Sequence, residues 1–313
     1  MPAAPGTAMN VIPITAAPPR DFAFHCSACG QCCNTPPLLT LDELLRFESR
    51  FIGALALRRV RRLAPGDVVA GTTLDADDLA AQHSLFDALL YPAPAGSGEV
   101  LQISLQAIDY PSLNACPALD DTRLCSLHAG GKPGACEVVP LDALQADRLQ
   151  HAVLASRQRD YLDADCIIAG SREGFAALTT GGAVVDPAYH VALQQQRAAI
   201  AADKARWGQP LHAALTAELH APAMWQRIPY DGFFNLSPVP LLALLAASAP
   251  HMPARCLQFI DAQLRLIDTT LAAALARKRP TDRPMTQQLR GYADAYRKLR
   301  PSLVRAARIP NYA

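Results

Sequence analysis

Phe24-His-Cys-Ser-Ala-Cys-Gly-Gln-Cys-Cys33 sets four cysteines in the pattern C-x2-C-x2-C-C, at Cys26, Cys29, Cys32 and Cys33. Gly30 gives this stretch the backbone freedom that a loop needs to wrap an ion. Adjacent side chains on extended backbone diverge, so Cys32 and Cys33 are badly placed to bind one ion together. Two centres, or one centre and a spare thiol, follow from that pair.

Working outward, Cys116-Pro117, Cys125 and Cys136 lie in a turn-rich stretch with little regular structure to hold it. Cys166, in Asp163-Ala-Asp-Cys-Ile-Ile-Ala-Gly170, brings the set to eight, enough for two four-thiolate centres. The ninth, Cys256, sits in an apolar helical pattern and reads as a core thiol. Tetrahedral zinc accepts four thiolates, whereas C-x2-C-x2-C with a remote Cys-Pro fits iron–sulfur ligation somewhat better. Structural zinc binds with roughly 10–16 kcal/mol, comparable with the whole net stability of a domain, so either ion would staple the fold. His128, three residues after Cys125, has compatible spacing, but the sulfur ligands suffice without it; His25 adjoins the motif, a place for tuning a centre by hydrogen bonding, though adjacency in sequence does not establish proximity in space.

Phe24 to Cys33, Leu39 to Glu43, Cys116 to His128 and Lys132 through Cys136 to Pro140 together resemble the CxxCxxCC (YkgJ-type) cysteine-cluster family of zinc- or iron-chelating proteins. Flagellin lysine N-methylases are related to that family. The resemblance spans about half of the chain, from Phe22 to Gly170, and implies metal ligation at Cys26, Cys29, Cys32, Cys33, Cys116, Cys125, Cys136 and Cys166. It also implies an alternative activity, cluster-dependent methylation of lysine on a protein substrate with S-adenosylmethionine as donor. The chain departs from the pattern at Lys132 and Glu137, where the family commonly carries arginine.

Elsewhere the sequence is that of a globular protein, with half of its 313 residues apolar and a net charge of +1, which leaves no broad footprint for nucleic acid. Met1 to Arg20 lacks the basic and apolar regions of a secretory leader, and no run is apolar enough to span a bilayer. A reducing cytoplasm is therefore expected, where clustered cysteines are metal ligands sooner than disulfide partners.

Periodicity and caps give a fold that is mainly α with a small β element (α+β). Thr40-Leu-Asp-Glu43 has the capping-box pattern, and an apolar face through Leu44, Phe51, Ile52 and Leu55 extends that helix towards Pro65, with Gly53 as a kink. Arg58, Arg59, Arg61 and Arg62 then form its solvated carboxyl end. Further helices are expected from Asp75 to Leu90, from Pro140 to Tyr161, from Asp186-Pro187, from Ser237-Pro238 and from Pro253 to Arg277. Leu101, Ile103 and Leu105 alternate with Gln102 and Ser104 in the clearest strand signal, Glu99 to Leu105. The expected organisation is a loose arm over 1–20, a cysteine-cluster metal-binding domain over 21–175 and an all-α domain over 176–313. No glycine-rich phosphate cradle is present, so a Rossmann-type methyltransferase domain is unsupported. A third reading, a zinc-stapled structural or interaction module, rests on the same residues, and the oligomeric state is left open.

Overall fold

The computed structural model describes residues 19–160 and 165–308. The expected arm lies outside the described residues except for Pro19 and Arg20, as does Tyr161, the expected end of the Pro140 helix. Strand β1 (Phe22–Phe24) leads into the cysteine loop, followed by β2 (Leu38–Leu39) and α1 (Leu41–Arg46). The capping box forms as expected: Thr40 Oγ1 accepts from Glu43 N at 3.3 Å, and Glu43 Oε2 accepts from Thr40 N at 2.8 Å.

Helix α1 stops at Arg46, and the expected helical run to Pro65 is instead β3 (Ile52–Arg61). The apolar spacing fits a helix, yet Ile52 to Leu57 are all buried, as in a central strand covered on both faces. Gly53 is not a kink. A Cβ there would meet Leu44 Cδ1 at 2.4 Å, so glycine lets α1 fold back onto the strand. The arginines follow the strand, not a helix end: Arg59 Nε donates to Ile228 O at 2.7 Å, Arg61 pairs with Asp67 at 3.1 Å and Arg62 pairs with Asp87.

A hairpin, β4 (Val68–Val69) with β5 (Thr72–Thr73), precedes α2 (Ala76–Leu89), which Asp75 caps as expected by accepting from Asp78 N at 2.7 Å. Then come β6 (Tyr91–Pro92) and β7 (Glu99–Ile108), the expected strand lengthened by three residues. Strands β3 and β7 pair antiparallel along all 10 residues, Ile52 opposite Ile108 through to Arg61 opposite Glu99. Residues directly opposite share a face, so Arg58, Ala56 and Ala54 stand with Gln102, Ser104 and Gln106.

After α3 (Gly134–Glu137), Pro140 does not open a helix. The backbone over 142–146 is held by side chains instead: Gln150 Nε2 donates to Asp142 O and Gln145 O, Gln82 Nε2 to Leu144 O, and Arg197 Nε to Ala143 O. With its carbonyls satisfied from three directions, the segment needs no helical ladder, and α4 starts only at Gln150, running to Asp160. Strands β8 (Ile167–Ala169), β9 (Ala176–Thr180) and β10 (Ala183–Val184) follow, in a sheet ordered β10-β9-β1-β8.

Beyond them Asp186 caps α5 (Pro187–Asp203), accepting from Ala188 N and Tyr189 N. A π-helical turn, Lys204–Gly208, joins it to α6 (Gln209–His220), then α7 (Pro222–Trp225) and β11 (Phe234–Leu236). Helices α8 (Val239–Ser248), α9 (Met252–Arg277) and α10 (Arg283–Ala307) complete the chain. The fold is mixed α+β, and residues 176–313 are not all-α: β9 pairs with β1 and β10 with β9, while β11 pairs with β3 as the edge of the second sheet, ordered β11-β3-β7-β2 with β6 also on β7. The largest apolar cluster draws Leu55 and Leu105 from that sheet and Phe259, Ile260 and Tyr296 from the last two helices. Gln263, fully buried on α9, ties the layers by accepting from Gly53 N and donating to Phe51 O. Among the described residues no helix is long and apolar enough to cross a membrane.

Candidate functional site

The first cysteine segment is a compact loop. Ala28 and Gly30 both take left-handed backbone, and Cys33 N donates to Gly30 O at 3.0 Å to close a 3-10 turn over Gln31–Cys33. A Cβ on Gly30 would stand 3.2 Å from Arg123 O, so the loop passes close beneath the Cys116–Cys125 turn. The Cys32 and Cys33 sulfurs lie 4.0 Å from one another.

Tertiary contacts bring the remote cysteines to this loop from two sides. On one side Cys116 N donates to Cys33 O at 2.7 Å, and Cys125 returns to Cys116 through a turn that pairs Leu119 with Cys125. Asp120 organises that turn, its carboxylate accepting from Thr122 N and Leu124 N. Cys136 rides on α3, whose first amide, Gly134 N, donates to Glu43 Oε1 at 2.7 Å. Glu43 thus spends one oxygen on the α1 cap and the other on the cysteine-bearing turn. On the other side His25 N donates to Cys166 O at 2.9 Å, continuing the β1–β8 ladder to the first and last cysteines of the set.

Electrostatic influence sorts the eight thiols in the same way. Burial, followed by Cys116 and Cys125, pushes Cys136 up to about 12. Cys116 is raised by burial and then by Cys125. Cys33 is raised by the hydrogen bond to Cys32, by burial, and by Cys136 and Cys116. Cys166 is raised by burial, then by Cys29, Cys26 and Cys32. One group is therefore Cys33, Cys116, Cys125 and Cys136; the other is Cys26, Cys29, Cys32 and Cys166. The contact shared by Cys32 and Cys33 joins them and draws the Cys32 thiol down, with Lys132 and Arg157 helping.

Among the described residues no three histidine, cysteine or acidic side chains are set in place to hold a metal ion. The eight cysteines are free thiols. Cys256 lies apart, buried on α9 with its sulfur near Leu242 O at 3.7 Å, the core thiol expected. His25 packs against Phe175 at 5.6 Å, and His128 is exposed.

A cavity of about 320 Å³ opens beside the inner group (Cys33, Cys116, Cys125 and Cys136), with Cys32, Cys33, Cys116 and Cys136 in its lining. Its floor is the face of β3–β7 that carries Arg58, Gln102, Ser104 and Gln106. Alternation in the strand identified Gln102 and Ser104 as polar, but not as covered: Gln102 is 3% exposed. Arg58 Nε donates to Gln102 Oε1 and Gln102 Nε2 to Ser104 Oγ, both at 2.9 Å. Burial lowers the Arg58 pKa against the raising influence of Asp142 and Asp231, and its guanidinium lies 5.1 Å from the Phe233 ring centre. Asp203 closes the far wall; Leu41 N donates to its Oδ2 at 2.8 Å, and burial raises its carboxyl to about 6. Sequence alone missed these residues because each becomes a wall only when β3, β7 and α5 meet.

Against known proteins, the chain matches no family model, no curated protein and no solved structure.

Proposed function

We propose that this chain is a metal-binding cysteine-cluster protein holding two thiolate-ligated centres, one on Cys33, Cys116, Cys125 and Cys136 and one on Cys26, Cys29, Cys32 and Cys166. The single observation that carries the reading is the sorting of eight cysteines into two groups of four, meeting at Cys32 and Cys33. Four thiols are the complement of one structural zinc or of one iron–sulfur cluster, and the thiols lose their protons on binding. Either ion would cross-link loops that are otherwise held by turns and short pairings; an iron–sulfur cluster would also carry electrons. The spacing C-x2-C-x2-C with the remote Cys116-Pro117 favours iron–sulfur, in keeping with the motif resemblance. In this reading the stretch 21–175 supplies the ligands, the helices after residue 187 brace it, and the protein works in a reducing compartment.

The test is anaerobic purification, elemental analysis and visible absorption of one sample. Two centres per chain are expected, coloured if iron–sulfur and colourless if zinc, whose d shell is filled. Substoichiometric zinc and iron together would overturn the proposal.

A further inference from the structure

The cavity beside the inner cysteines has an open stretch of sheet edge in its floor. Strand β7 is paired on its outer edge with β6 at Leu101 and Val100, and with β2 at Leu105 and Gln106. Between them lies Ile103. Gly53 N and Arg59 N both point away from β7, to Gln263 and Pro229, so the odd-numbered residues of β3 face β11 and those of β7 face the outer edge. Ala107 N, which donates to Pro37 O, confirms that direction. The amide N–H and the carbonyl of Ile103 therefore look into the gap between β2 and β6, where the cavity lies.

Three further features surround that pair. Arg58 has no ion pair among the described residues, and its Nε is already held by Gln102, which leaves the terminal nitrogens of a fixed, desolvated fork. Gln106 Oε1 is buried with no hydrogen-bond partner. Tyr91, Trp207 and Phe233 add aromatic surface to the same cavity. An open edge amide accepts an extended ligand backbone, an arginine fork accepts a carboxylate, and a lone acceptor takes an N–H.

We infer that this cavity binds a small N-acylated amino acid, free or as the carboxyl end of a peptide. Its acyl carbonyl accepts from Ile103 N–H at the gap between β2 and β6, its amide N–H donates to Gln106 Oε1, its carboxylate meets Arg58, and its apolar side chain lies against Trp207 and Phe233. The inference does not rest on the thiolate centres, and elemental analysis of the same sample keeps the two readings apart.

Titration calorimetry with N-acetyl-L-phenylalanine tests it on the protein as purified, alongside N-acetyl-L-phenylalaninamide, which lacks the charge, and hydrocinnamate, which lacks the amide. Binding is expected for the first, weakened by about tenfold or more for each of the others. Arg58→Gln should bring the acid and its amide to the same affinity. Gln106→Leu, which removes an unpartnered atom, should leave the melting temperature intact and weaken the acid about tenfold, so misfolding of the arginine variant leaves the test standing. The tripeptide Ala-Ala-Phe separates the sources: binding like the acetylated acid points to a peptide end, and no binding to a free small molecule. Equal affinity for acid and amide in the parent protein, or no binding of the acid at all, overturns the inference.

Discussion

The two cysteine groups are built from the same chemistry on different foundations. Cys26, Cys29 and Cys32 are exposed on a short loop, and Cys166 joins them through the β1–β8 ladder. Cys116 is buried, and Cys33, Cys125 and Cys136 are half-buried, braced by the Cys33 carbonyl, the Asp120 turn and the Glu43 carboxylate, with the main apolar core behind. If each group holds a metal as proposed, equal ligand number would come with unequal coupling to stability. The inner group cannot be disturbed without disturbing the sheet and α1; the outer group hangs largely on its own loop.

The sharpest break in that comparison is Cys116→Ser. It should remove about half of the bound metal and lower the melting temperature by roughly 10 °C, as expected for loss of a structural centre in a chain of this size. Metal analysis and calorimetry on one preparation check both halves of the expectation. Next in size is Gly134→Ala, whose new Cβ would meet Gln196 Oε1 at 2.2 Å at the head of the Cys136 turn. A cost of about 1–3 kcal/mol in denaturant unfolding is expected, with metal lost from the inner group alone.

Glu43→Ala removes the capping box and orphans Gly134 N together, and about 1–2 kcal/mol should go in the same assay. Asp203 supplies a pH signature to the same region. Its carboxyl titrates near 6 when folded against 3.8 unfolded, so the native state binds the extra proton between those values. The contribution of Asp203 to stability should be full below about pH 4, fall as the pH rises to about 6 and then level off, so the melting temperature of Asp203→Asn relative to the parent should rise across that window. The smallest effect belongs to the outer group: Cys29→Ser should also cost about half of the metal yet move the melting temperature by less than about 2 °C. Equal destabilisation by Cys29→Ser and Cys116→Ser would erase the distinction between the groups.

Much of the molecule was legible in short stretches. Thr40 with Glu43, Asp75 with Asp78 and Asp186 with the following amides all cap the helices they announce, because a cap is settled within about four residues. The strand at Glu99 to Leu105 was visible from its alternation. The stretch from Phe47 to Arg61 was not: its leucines and alanines suit a helix, and pairing with β7 along 10 residues overrode that preference. Pro140 was misread for a related reason, since Gln82, Gln150 and Arg197 satisfy the backbone that a helix would otherwise have satisfied.

By itself the sequence determined the sulfur inventory, the loop geometry around Gly30 and the divergence of Cys32 from Cys33. Only the tertiary structure decided which remote stretch meets which: Cys116 bonds Cys33 through one backbone hydrogen bond, and Cys166 bonds His25, next to Cys26, just past the β1–β8 pairing. It also decided that Arg58 and Gln102 floor a cavity instead of meeting water. Local torsional preference and side-chain spacing act over a few residues, whereas partners some 80 to 140 positions apart are chosen by the strand pairing and core burial of the whole chain.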